Sequence, residues 1–133
     1  MQTIRKLSVA LASCVLFSAS AFAADLILIS HKGVSVATAD ARDIFVGDKQ
    51  VEGGTKLVPV DNASLQKDFL EKVVKVDSAK YSSIWAKKGF REGLNPPPMK
   101  NSDAEVIAFV KANPGAVGYV SKATDDVKVV HKF

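Results

Sequence analysis

The chain has 133 residues, enough for one hydrophobic core and too few for two full domains. Its formal charge of +4 comes from scattered Lys and Arg, two of which, Arg5 and Lys6, fall in an N-terminal leader; the only adjacent basic pair beyond it is Lys87-Lys88, which excludes a nucleic-acid-binding balance. A single cysteine, Cys14, excludes an intramolecular disulfide, so stability must come from packing.

Read in chain order, Arg5 and Lys6 form a basic opening, Leu7 to Phe17 supply an apolar run, and Ala21-Phe22-Ala23 places small residues where a signal peptidase accepts them. We assign residues 1–23 to a cleaved secretory signal and residues 24–133 to an exported, periplasmic domain. The apolar run is shorter than the roughly 20 residues that span a bilayer. Leu11 to Cys14 also resembles a lipoprotein processing box with Cys14 as the lipidated residue. Cleavage there leaves apolar residues 15–23 on the mature chain, so the cut before Ala24 is preferred.

Asp25 to Ser30 (DLILIS) is a short apolar run with polar ends and predicts a buried strand. After a loop over His31 to Val36, Thr38 is set to cap a short helix carrying Ala41, Ile44 and Phe45 on one side and closing at Gly47-Asp48. Gly53-Gly54 predicts a turn. Leu57 to Val60 (LVPV) predicts a strand at a sheet edge, because Pro59 has no N–H to donate. Ser64 is placed to cap the next helix, where Leu65, Phe69, Leu70, Val73 and Val74 form an apolar stripe. Following a break at Val76 to Ser78, Tyr81, Ile84 and Trp85 form a helical face that Gly89 is expected to stop.

Gly93 to Lys100 (GLNPPPMK) contains three consecutive prolines, which hold the backbone extended and remove donors, so it predicts a stiff connection. Ser102-Asp103-Ala104-Glu105 fits a capping box that starts a helix with Val106, Ile107, Phe109 and Val110 inward. Asn113-Pro114-Gly115 stops it. Ala116 to Val120 predicts a strand in which Gly118 admits a close neighbour, and Val127 to Val130 a last strand. Interleaved helices and strands without an internal repeat predict an α/β layer structure.

Ligands of open α/β sheets gather where strands end, and Ser30-His31-Lys32-Gly33 there offers a hydroxyl, an imidazole and a cation beside a glycine. No Gly-x-Ser-x-Gly elbow accompanies the serines, and His31 and His131 lack the partners of a zinc site, so neither catalysis nor a metal or other cofactor is indicated.

Three segments carry a resemblance. Ile44 to Lys49 (IFVGDK), Leu57 to Val74 (LVPVDNASLQKDFLEKVV) and Ala112 to Val120 (ANPGAVGYV) resemble, in order and approximate separation, the periplasmic phosphate-binding proteins of ABC transporters, with Val117 where Ile is usual. The resemblance implies a single lobe of a type II periplasmic-binding-protein-like fold, a mixed sheet flanked by helices. It further implies an oxyanion ligand, phosphate first, delivered to a membrane permease for uptake.

In that family the loop before the matched helix commonly reads Ser-Gly-Thr. Here the corresponding residues are Asp61-Asn62-Ala63-Ser64. Backbone N–H groups at a helix start and nearby hydroxyls hold oxyanions without a metal, so Ser64 and Asn62, together with Ser30, His31 and Lys32, are the expected ligand contacts. Asp61 works against them if it faces the pocket, since a carboxylate about 4 Å from an anion costs on the order of 4 kcal/mol at an effective dielectric of 20. Turned away, it leaves the loop usable. Lys67, one turn into the helix, is either a compensating cation or a solvated side chain. The rival reading keeps the lobe as a scaffold for a periplasmic protein partner, with an apolar patch around Trp85, Phe90 and the prolines.

Overall fold

The computed structural model describes residues 25–133, so the expected signal segment, the expected cleavage site and Cys14 lie outside the described residues. The main sheet has four strands in the order β4 (Val58–Pro59), β7 (Ala116–Val120), β1 (Ile27–Ser30) and β8 (Lys128–Lys132). β4 runs parallel to β7, whereas β1 is antiparallel to both β7 and β8, so the sheet is mixed. Pro59 lies on the edge strand, where its missing N–H costs no ladder bond. Two small pairs complete the strands: a hairpin of β2 (Val51–Glu52) and β3 (Thr55–Lys56), and parallel β5 (Asp61–Asn62) and β6 (Met99–Lys100).

Alternation along the central strands divides the core. Leu26, Leu28, Val117 and Tyr119 face one side, where they meet Ile44, Phe45, Phe69, Tyr81 and Trp85 of three helices, α1 (Ala41–Phe45), α2 (Gln66–Phe69) and α3 (Ser78–Glu92). Ile27, Ile29, Ala116 and Val120 face the other, packed on Val106 and Val110 of α4 (Asp103–Ala112). With apolar layers on both faces, the central strands read as continuous hydrophobic runs rather than alternating ones. The Phe69 and Tyr119 rings stack at 3.9 Å and Phe45 meets Phe69 edge-on at 4.6 Å. Trp85 Nε1 donates to the Phe45 carbonyl at 3.0 Å, tying α3 to α1.

Gly118 is required by packing. A Cβ there would sit 2.8 Å from Val106 Cγ1 and 2.9 Å from Val60 Cγ1, so the neighbour it admits is the valine layer beneath α4. The capping box forms, with the Glu105 amide donating to Ser102 Oγ at 3.3 Å and the Glu105 carboxylate accepting from the Asn101 amide at 2.8 Å.

Four local expectations are corrected. The helix expected from Thr38 begins with a 3-10 turn, Thr38–Asp40, whose N-cap is Ala37. Gly89 does not stop α3, which runs to Glu92 and ends on left-handed Gly93; one interior glycine costs a helix only about 1 kcal/mol. α2 continues as a π-helical turn, Leu70–Val74, closed by left-handed Lys75. The proline connection is not only a spacer, because its end supplies β6. The rival's expected patch also divides. Trp85 is buried, and Phe90 stands alone at 94% exposed. Phe90→Ser should therefore change the urea-unfolding free energy by less than about 0.5 kcal/mol.

Candidate ligand-binding end of the sheet

β5 continues the direction of β4 and so ends beside the carboxyl end of β7. The amino ends of α2 and α4 open at the same edge. Asn62, fully buried, is the hub of this edge. Its Nδ2 donates to the Tyr119 carbonyl at 3.0 Å and to Asp103 Oδ1 at 2.9 Å, and its Oδ1 accepts the Ser64 amide at 3.1 Å and the Ser64 hydroxyl. Ser64 is therefore not the helix cap. The N-cap of α2 is Leu65, without a side-chain bond, and Ser64 closes a turn on Asn62.

Asp103 completes the network. Its Oδ2 accepts the Ser121 amide at 3.1 Å, the Ser121 hydroxyl, and the Lys122 amide at 3.2 Å. Consecutive amides aimed at one oxygen are the arrangement that proteins offer to anions. Here the oxygen belongs to the chain itself. A solvent groove of about 450 Å³, with Lys111, Lys122 and Thr124 among its walls, reaches Asp103 from outside. A second groove of about 760 Å³ runs along α2 and is lined by Ala63, Gln66, Lys67, Leu70 and Lys75. Lys67 is exposed on its wall.

Asp61 is turned into the core. Its two carboxylate oxygens accept the Tyr81 hydroxyl at 2.9 Å and the Tyr119 hydroxyl at 2.8 Å, beneath the edge and away from the groove. Burial pushes this carboxyl up to about 6, against the opposing pull of the two phenols and Gln66. Burial, reinforced by the Asp61 charge, holds both tyrosines well above the ordinary phenol range, so both remain donors. Of the two orientations open to Asp61, the structure has the one turned away from the pocket.

The five expected contacts do not form one site. Ser30 pairs with Val117 on antiparallel β1, so Ser30, His31 and Lys32 lie at the opposite end of β7 from Asn62 and Ser64. At about 3.3 Å per residue, Val117 to Ser121 spans roughly 13 Å. Ser30 is buried, with its hydroxyl at 3.4 Å from the Val34 carbonyl. His31 Nδ1 accepts the Gly33 amide at 2.9 Å, which closes the turn, and Lys32 is exposed. This loop is a closed turn in which Ser30 and His31 are already engaged. Asp103 and Ser121 were not expected; the only local sign was an acid beside the capping serine, ordinary for a first helical turn.

The comparisons with solved structures bear on this arrangement. The chain matches a phosphate ABC transporter substrate-binding protein with bound phosphate from Clostridium perfringens at 18% identity and a TM-score of 0.51, covering 80% of this chain and 45% of that one. The fold is α/β, a mixed sheet flanked by helices, similar to a lobe of these binding proteins. An ABC-type phosphate transport receptor from Vibrio cholerae matches at 17% identity and a TM-score of 0.50, covering 81% of this chain and 46% of the other. PstS from Borrelia burgdorferi matches at 17% identity and a TM-score of 0.50, with 73% and 41% covered. The chain thus spans less than half the length of these structures. No protein-family model and no curated protein matches the chain. Among the described residues, no helix is long and apolar enough to cross a membrane, and no cluster of three or more His, Cys, Asp or Glu side chains is arranged to hold a metal.

Proposed function

We propose that this lobe is a periplasmic binding domain, not an enzyme, that engages a small oxyanion, phosphate first, for ABC-type uptake. The observation that carries the reading is the convergence of Asn62, Ser121 and the Lys122 amide on a carboxylate at the carboxyl ends of β5 and β7. A carboxylate and a phosphate oxygen ask for the same donors. The lobe leaves this edge open on one side, so binding is weaker than in a cleft closed by two walls, unless a permease or another periplasmic protein supplies the second.

Isothermal titration of the chain from Ala24 onward with inorganic phosphate tests it. Heat at millimolar phosphate is expected. Ser64→Ala should lower the affinity severalfold, since it removes one of the two donors that hold Asn62 Oδ1 and loosens the turn, while changing stability by no more than about 1 kcal/mol. Absence of heat in the unaltered chain removes the reading. A second reading, a periplasmic interaction module, is favoured by one observation: the side chains of Asn62 and Asp103 are already engaged within the chain. A periplasmic protein that co-purifies with the chain and binds at this edge would decide for it.

A further inference from the structure

We propose that Asp103 is a built-in occupant of an oxyanion cradle, and that its carboxylate must leave Ser121 and Lys122 before an external oxyanion can bind there. The inference deepens the function proposed above and rests on it for the physiological ligand, though the cradle can be tested separately.

Three observations meet at this point. The Ser121 amide, the Ser121 hydroxyl and the Lys122 amide all converge on Oδ2, and Asn62 Nδ2 holds Oδ1. Such a donor set is complementary to a singly or doubly charged oxyanion. The donors belong to β5 and to the bend just after β7, whereas the carboxylate comes from the first turn of α4. Rotation of one side chain about its own bonds therefore empties the cradle while both strands stay in place. Finally, the carboxylate is only half-buried and borders the groove of about 450 Å³ whose walls include Lys122 and the ion pair of Lys111 with Asp126 at 3.2 Å. That volume exceeds what a tetrahedral oxyanion needs, and Lys122 brings positive charge to its mouth.

The physical consequence is competition at fixed local concentration. A tethered carboxylate that already holds the donors lowers the apparent affinity of any free anion by the fraction of time it occupies them. Asn62 keeps its bond to the Tyr119 carbonyl in either state, so the hub survives displacement. The arrangement also sets selectivity: only an anion that offers several acceptor oxygens at once replaces the carboxylate without loss of bonds, which favours phosphate or sulfate over chloride.

The test is titration of inorganic phosphate, with chloride as control, into the unaltered chain, Asp103→Ala, and the double variant Asp103→Ala with Ser121→Ala, each checked for folding by circular dichroism. Asp103→Ala should bind phosphate at least about tenfold more tightly than the unaltered chain, and the double variant should lose most of that gain. If the unaltered chain binds and Asp103→Ala binds no more tightly, the occupant idea is overturned while the proposed function stands. If only Asp103→Ala binds, the occupant idea holds and the unaltered chain is not a phosphate receptor on its own. If neither folded protein binds, both fall. Should Asp103→Ala not fold, the Ser121 and Lys122 amide resonances of the unaltered chain decide, because displacement must shift both during phosphate titration, and fixed resonances overturn it.

Discussion

Raising the pH from about 4 to about 7 should lower the unfolding free energy by on the order of 3 kcal/mol through Asp61 alone. Its carboxyl sits near 6 in the folded chain against an ordinary value of 3.8, mainly because burial disfavours the charged form. Below the lower value, folded and unfolded chains are both protonated and this residue carries no penalty. Between the two values the unfolded chain has released its proton and the folded chain has not, so stability falls as pH rises. Above 6 both are ionised and the full cost of the buried charge is present. Tyr81 and Tyr119 remain donors throughout, so no opposing phenol titration enters. Urea denaturation at several pH values, for the unaltered chain and for Asp61→Asn, isolates the residue. The two profiles should converge below pH 4 and separate above pH 6, with the variant flatter. Parallel profiles would show that the carboxyl does not titrate where its burial places it.

Asp61→Ala is a different lesion. It relieves the charge but leaves two buried phenolic hydroxyls without an acceptor, at about 1–3 kcal/mol each. At pH 4, where no charge is relieved, it should be the more damaging of the two variants.

The orientation of Asp61 also marks what the sequence could carry. Features fixed within a few residues were legible: the edge strand at Pro59, the capping box at Ser102 and Glu105, the helix stop at Asn113-Pro114-Gly115, and the buried run of β7. Each follows from a missing donor, a side chain reaching a neighbouring amide, or an apolar run between breakers. Whether Asp61 faces solvent or core depends on tyrosines 20 and 58 positions away, and local spacing says nothing of either.

The same holds for the donors at the sheet edge. Ser64 reads as a cap because serine favours that position, yet its hydroxyl and amide both donate to Asn62 Oδ1, two residues earlier, whose own Nδ2 is anchored on Tyr119 and Asp103. Ser121 meets Asp103 across 18 positions. The loop at Ser30 to Gly33 lies apart from Asn62 and Ser64 for a topological reason. Strands end at both edges of a mixed sheet, and β1 runs opposite to β7, so proximity to a strand end did not fix which edge was meant.

The larger single-site cost is expected at Gly115. Its φ is +85°, and an added Cβ would lie 2.1 Å from the Lys56 carbonyl oxygen and 3.1 Å from Thr55 Cγ2. Neither the conformation nor the space admits a side chain. Left-handed backbone costs a non-glycine residue about 1–2 kcal/mol, and overpacking against a neighbour that cannot rotate away adds about 1–3 kcal/mol. The neighbour here is backbone, held on the strand that follows: Leu57 donates to the Gln50 carbonyl at 2.8 Å and Val58 to the Gly115 carbonyl at 2.9 Å, so relief by shifting Lys56 breaks the seam between β4 and β7. Gly115→Ala should therefore cost about 3–4 kcal/mol in urea denaturation. Gly54 provides the internal control, with φ of +82° and no atom within 4 Å of an added Cβ. Gly54→Ala meets only the conformational cost, about 1–2 kcal/mol. The difference between the two variants measures the close approach of the hairpin to β7. If they lose equal stability, the hairpin does not rest on Gly115.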